Sequence, residues 1–280
     1  MKNEKTKKRK YVSFSELKTW GDCSWRHYLQ YVLGIREYGD TVFTDYGTII
    51  HDAGEKYIRT RAMDVDVAET KLREVWVERN YPHPSTVAVT HPEWPSYADP
   101  DIEYWVGNLR AILELIPAWL EDNFPGWEFV EAEAELLEEM EGTPLKFRGY
   151  IDAIIRVKGK GDKWIYWILD WKTSSKRGWD RQKKSDIFVR SQIILYKHFW
   201  TTKAKIPVKD TRCGYVLLRR DVKRNKIQLV DISAGPKTIE KSLKWLRSMM
   251  KMVASGRKIK NRYSCMFCEF EGTEHCKMNL

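Results

Sequence analysis

The chain has 280 residues, 49 of them basic and 39 acidic, for a formal net charge of +10. Hydrophobic residues make up 42%, enough for a core that buries about 70–75% of the unfolded surface, which excludes a disordered tail and a disulfide-stapled miniprotein. No apolar run approaches the roughly 18 residues that span a bilayer, no apolar signal stretch follows the basic start MKNEKTKKRK, and five cysteines, an odd number, argue against a disulfide framework. The expected setting is a reducing cytoplasm, away from membranes.

Residues 1–10 hold six basic side chains and one acidic, and are expected to form a flexible arm. Ser13-Phe14-Ser15-Glu16 spells a capping box, with Ser13 as N-cap and Glu16 at the third helical position. The helix it starts is interrupted near Gly21-Asp22, resumes through Trp25, Tyr28, Leu29 and Val32, and ends at Gly34. A second helix is predicted over 48–61, with Ile49, Ile50, Ala53 and Tyr57 on its buried stripe, and a third over 66–79. Five prolines between 81 and 100 mark a loop or insertion. A helix over 101–123 follows, kinked at Pro117.

From 127 the pattern changes to strands, at 127–135 and at 147–157, the second containing Gly149 and Asp152. WIYWILDW at 164–171 is a near-continuous apolar run, typical of a central strand covered on both faces. A helix at 186–200, strands at 212–218 and 226–232, and a helix at 238–255 complete the series. This order predicts an α/β (α+β) fold, a mixed β-sheet flanked by helices. Its parts are the arm 1–10, a helical region 11–125, a sheet core 126–235, and a C-terminal helix with a Cys-rich tail, 236–280. Residues 171–224 carry sixteen basic and four acidic side chains, and 241–262 carry eight basic and none acidic, whereas 101–145 carry twelve acidic and one basic. Such surpluses either solvate helix faces or form a basic face that binds a polyanion by releasing its counterions.

The chemistry centres on Ile168-Leu169-Asp170-Trp171-Lys172. Alternate residues of a strand share a face, so Asp170 and Lys172 point the same way and Trp171 the other. A carboxylate can hold a hard divalent cation, the cation lowers the pKa of nearby water, and a lysine can orient that water or offset developing charge. Asp-x-Lys alone reads more readily as a strand-edge salt bridge. A hairpin through Gly159-Lys160-Gly161 would set Asp152 beside Asp170, where the two could share one cation. His51 lies on a helix, and Gln192 and Tyr196, four apart on another, share a face. Glu133 is a candidate accessory acid within an acidic run that also reads as a solvated face.

The ordered set Gly47-x-x-x-His51, Gly149-x-x-Asp152, Asp170-x-Lys172 and Gln192-x-x-x-Tyr196 resembles the RecB-type branch of the PD-(D/E)XK nuclease superfamily, over about 13–276. The resemblance implies a Mg2+- or Mn2+-dependent DNA exonuclease. His51, Asp152, Asp170 and the Trp171 carbonyl would be metal ligands, Lys172 the catalytic lysine, and Gln192 and Tyr196 would position the DNA or the site. The implied partners are DNA with accessible ends or single strands, together with a helicase, a recombinase or a CRISPR adaptation protein, in a prokaryotic cell or in a phage-infected host. A structure-specific endonuclease, or a catalytically idle DNA-binding protein, could use the same fold.

Cys265-x-x-Cys268, followed by Cys276 and preceded far upstream by Cys23, is a set of soft ligands suited to zinc or an iron–sulfur centre. One distant cysteine plus three near the C-terminus is similar to the [4Fe–4S] staple of RecB-type nucleases, CRISPR-associated ones included; Zn2+ is the alternative. His275 stands beside Cys276 as a substitute ligand, and Cys213, in an apolar strand, reads as a core residue.

Overall fold

The computed structural model describes residues 10–35, 41–81, 101–175, 178–265 and 268–277. The expected arm, apart from Lys10, and the proline-rich stretch 82–100 lie outside the described residues. Six strands, β1 (Tyr11–Ser13), β2 (Glu128–Glu139), β3 (Lys146–Lys158), β4 (Trp164–Ser174), β5 (Thr211–Arg219) and β6 (Ile227–Asp231), form one mixed sheet. β3 pairs antiparallel with β2 and β4, β5 pairs parallel with β4, and β6 closes antiparallel on β5. The expected mixed sheet flanked by helices is therefore present.

Helices cover both faces. On one lie α1 (Phe14–Asp22), α8 (Ile187–Ala204) and α9 (Pro236–Ala254), whose Leu17, Ile194 and Leu246 join Ile154, Ile168 and Tyr215 of the sheet. On the other lie α3 (Val42–Thr60), α4 (Val65–Glu78), α5 (Ile102–Leu113) and α6 (Ile116–Asn123), whose Ile50, Leu72, Leu109 and Leu120 pack with Leu169, Trp171 and Val216. β4 is buried from Trp167 to Trp171, as its continuous apolar run requires. α2 (Ser24–His27) runs on as a π-helical turn through Val32, and the short α7 (Arg181–Ser185) precedes α8.

Ser13 Oγ caps α1 as expected, accepting from the Glu16 amide at 3.2 Å, and the Glu16 carboxylate meets buried His27 Nε2 at 2.7 Å. Three local readings are revised. The second helix begins at Val42 and not at 48, because Thr41 and Thr44 cap it reciprocally. The helix expected over 101–123 is two helices. The break at 114–115 places Pro117 in the first turn of α6, where its missing N–H costs nothing. β1 was not expected; it pairs parallel with β3, Tyr11↔Lys146 to Ser13↔Arg148.

β1 matters for the site. β2 occupies one edge of β3 from Lys146 to Arg156. The other edge is shared: β1 takes Lys146–Arg148, and β4 takes Ala153–Lys158. Residues 149–152 fall in the gap between these two partners. Ile151 belongs to the core under α8 and Ala153 to the core under α3, although alternate residues of a regular strand share a face. The strand thus turns over at Asp152. Opposite, between the pairs Ala132↔Ala153 and Ala134↔Ile151, Glu133 has a left-handed φ of 50°, a local distortion of the kind that re-aims side chains beside functional sites.

Candidate active site

The gap in β3 opens on a cavity of about 350 Å³ lined by Asp152, Asp170, Lys172, Gln192 and Tyr196, with Tyr11, Ser13, Arg148, Gly149 and Tyr150 among its other walls. All five of the expected catalytic side chains therefore meet, drawn from β3, β4 and α8. Asp170 is 2% exposed and forms an ion pair with Lys172. Asp152 Oδ2 accepts from the Trp171 amide at 2.7 Å. In an extended strand a residue's N–H and C=O point to the same edge, so the Trp171 carbonyl also faces the gap. Its indole lies on the other face, fully buried near Gly54 of α3.

Gln192 Nε2 donates to the Tyr196 hydroxyl at 3.2 Å, the i,i+4 contact expected from their spacing. The Tyr196 ring packs closely on β3, and only glycine permits this: a Cβ on Gly149 would stand 2.6 Å from Tyr196 Cε1. We expect Gly149→Ala to displace the ring and destabilise the protein by about 1–3 kcal/mol, the usual cost of overpacking, measured by thermal unfolding. An unchanged melting temperature would show that the ring moves freely.

Burial pushes Asp152 well above the usual carboxylate range, and the Asp170 charge adds to the shift. Burial likewise raises Asp170, opposed by Lys172. Burial acts to lower Lys172, but Asp170 and Asp152 together outweigh it and its pKa is raised. His51 on α3 is lowered to about 3 by burial and then by Lys172, so its imidazole is neutral at physiological pH. A neutral imidazole offers a lone pair. The buried His51 Nε2 lacks a hydrogen-bond partner, whereas Asp170 Oδ2 is engaged by the Lys172 ammonium. Among the described residues no three His, Cys, Asp or Glu side chains are grouped so as to hold a metal ion; Asp170 is turned onto Lys172 and Asp152 onto the Trp171 amide.

Glu55 is a neighbour that sequence reasoning passed over. It stands four residues after His51 on α3, a spacing that signals a shared helix face. Burial and then Glu133 raise its pKa to about 7. A carboxyl whose folded pKa exceeds its unfolded value costs stability as pH rises between the two. Glu55→Gln should therefore raise the melting temperature at pH 8 but not at pH 4, in metal-free buffer; equal effects at both pH values would contradict the burial argument.

A second cavity, of about 230 Å³, is lined by Cys23, Cys265, Cys268 and Cys276 together with Trp25, Arg26 and Phe270. All four thiols are free. Cys276 lines the cavity; His275 does not, its carbonyl instead accepting from the Trp25 indole at 3.1 Å. The Asn261 amide donates to Cys23 Sγ at 3.4 Å, Ser264 Oγ donates to the Asp22 carbonyl at 2.7 Å, and Arg26 pairs with Glu269 at 2.7 Å. The N-terminal helices and the tail are thus joined around the cysteines. Cys213 is fully buried in the core, away from them.

Comparison with known proteins bears on the fold and the family. One subunit of the ATP-dependent helicase/deoxyribonuclease of Streptococcus mutans is 26% identical over 238 residues, 84% of this chain and 20% of that protein. The chain thus spans about a fifth of that relative's length. A crystal structure of a Eubacterium rectale protein, provisionally described as an exonuclease, matches the fold with a TM-score of 0.53 at 10% identity, over 97% of this chain and 93% of that one. The pattern of the PD-(D/E)XK nuclease superfamily matches residues 11–273, and with that extent of match the chain belongs to this superfamily.

Proposed function

We propose that the chain is a RecB-type, Mg2+- or Mn2+-dependent deoxyribonuclease that degrades DNA from its ends. The observation that carries this reading is the meeting of Asp152, Asp170, Lys172, Gln192 and Tyr196 at the gap in β3. The donor set suits a hard divalent cation: two carboxylates, a backbone carbonyl and a neutral imidazole whose Nε2 is short of a hydrogen bond. His51, Asp152, Asp170 and the Trp171 carbonyl would hold it. A bound cation would polarise the phosphodiester and lower the pKa of adjacent water. Lys172, kept protonated by the two aspartates, orients the attacking water and offsets the charge that builds on the phosphate. Tyr196 and Gln192 hold the wall against which the strand lies.

The cysteine cavity is read as the seat of a [4Fe–4S] cluster, with Zn2+ as the alternative. Four free thiols lining one cavity would supply the protein ligands of a cubane, and the hydrogen bond from the Asn261 backbone amide to Cys23 Sγ is the kind of outer contact that favours thiolate. The basic surplus of 171–224 suits a polyanionic substrate. A helicase partner is proposed because the Streptococcus relative is a subunit of a helicase/deoxyribonuclease, with action in the cytoplasm of a prokaryotic cell or of a phage host. No helix among the described residues is long and apolar enough to cross a membrane.

The test uses end-labelled linear DNA and closed circular DNA with Mg2+, Mn2+ or EDTA. Release of label from linear DNA, with circles intact and no reaction in EDTA, is expected. Cutting of circles would assign an endonuclease, and metal-independent cutting would remove the cation from the account.

A further inference from the structure

Tyr11, Arg148 and Tyr150 lie on the wall of the active-site cavity and have no role in the chemistry above. Both tyrosines are 44% exposed. The Arg148 guanidinium carbon lies 4.8 Å from the Tyr11 ring centroid and 5.1 Å from that of Tyr150. Arg148 and Tyr150 alternate along β3 and share a face, and β1 brings Tyr11 beside them. The group is braced. Arg148 Nε donates to Glu135 Oε1 at 3.0 Å, the Tyr150 hydroxyl donates to the same oxygen at 3.1 Å, and Arg148 also donates to that hydroxyl.

Two half-exposed aromatic rings flanking a fixed guanidinium are a surface for stacking. Rings held this way lose little freedom when a flat ligand arrives. Glu135 offsets the Arg148 charge, so the surface attracts a π-face more than a bare phosphate. In a duplex each base is covered by its neighbours and paired at its edge; only an unpaired base presents a face. We propose that Tyr11, Arg148 and Tyr150 form a stacking platform for an unpaired nucleobase of the strand whose phosphate lies at Asp152 and Asp170. The site thereby selects single-stranded or frayed DNA ends. This inference rests on the nuclease reading, since the phosphate position defines which base reaches the platform.

The test measures binding in the Asp170→Ala protein, with a single-stranded oligonucleotide carrying 2-aminopurine near its end and with the same strand in a blunt duplex. Stacking quenches 2-aminopurine fluorescence. Tyr150→Ala and Tyr11→Ala should each weaken single-strand binding by about 5- to 30-fold, the loss of one base–aromatic stack. Each should also reduce the quenching and leave duplex affinity unchanged. Tyr150→Phe keeps the ring, gives up the bond to Glu135, and should bind like the parent. Single-strand affinity unchanged in both alanine variants would overturn the platform, as would equal losses for duplex, or a Phe variant as weak as the Ala variant. If Tyr150→Ala does not fold, Tyr11→Ala and the Phe variant decide the question. Failure of the nuclease reading would look different: the unsubstituted chain would cleave no DNA with either metal.

Discussion

Asp170→Ala is expected to lower DNA cleavage by at least about 10²–10³-fold, the range for removing one electrostatic contact to a transition state. Asp170 is 2% exposed, and its neighbours in the cavity are Lys172, Asp152 and Tyr196. Asp152 also faces that lysine, but its carboxylate is turned onto the Trp171 amide and the ion pair is made by Asp170. Removing one partner of a buried ion pair can cost about 3–5 kcal/mol of stability, and an inactive variant could then simply be unfolded. The Lys172 side chain is 34% exposed, however, and its ammonium can turn to water, so the cost should fall below that range. Asp170→Asn keeps shape and volume while removing the charge, and should be equally inactive. Asp152→Ala should lose cleavage too, since it frees the Trp171 amide and removes the second carboxylate at the gap. Retained DNA binding in all three, by fluorescence anisotropy, would assign the loss to chemistry. Wild-type cleavage in any of them would remove that residue from the site.

Replacing any one of Cys23, Cys265, Cys268 or Cys276 with Ser is expected to bleach the visible iron–sulfur absorption of anaerobically purified protein. It should also lower the melting temperature. Cys23 and Cys265 are more than 240 positions apart in the chain. In the chain-entropy limit a cross-link closing so long a loop is worth about 5 kcal/mol, or on the order of 10 °C in a domain of this size. The hydrogen bonds from Ser264 and Asn261 to Asp22 already tie the same segments, so the measured loss should be smaller. Activity should fall along with structure, through α1. That helix ends at Asp22, beside the cysteine cavity, and begins at Phe14, on the wall of the active-site cavity. Cys213→Ser should keep the colour, because Cys213 sits in the core of the sheet. A colourless wild type holding one zinc per chain would replace the cluster with zinc and leave the nuclease reading standing.

The pairing of Asp170 with Lys172 was legible because strand parity is rigid, and eight nearly continuous apolar residues announce a covered central strand. The Gln192–Tyr196 contact was legible because helix spacing is rigid too. β1 was not: three residues, Tyr-Val-Ser, carry no period, and only pairing with β3 makes them a strand. With β1 hidden, the shared edge of β3 was hidden as well, and so were Tyr11 and Arg148 as cavity walls. The early start of α3 escaped because its capping box carries Thr44 where Glu or Gln is the usual signal. The reach of Asp152 was visible in Gly149-x-x-Asp152, but the turnover of β3 that aims it, opposite the left-handed backbone of Glu133, carries no local sequence signal. Likewise, the four cysteines could be named from spacing, whereas the seam of hydrogen bonds around them joins segments that are remote in the chain.

Lys172→Ala separates the roles within the cavity most directly, because the account gives the aspartates the cation and the lysine the chemistry. Mn2+ binding by calorimetry and cleavage of end-labelled DNA would be measured on the same preparation. The account predicts wild-type-like Mn2+ affinity with cleavage reduced at least about 10²-fold, while Asp170→Ala loses both. Full cleavage by Lys172→Ala would contradict it, leaving the Asp170–Lys172 contact as no more than a salt bridge at the end of a strand.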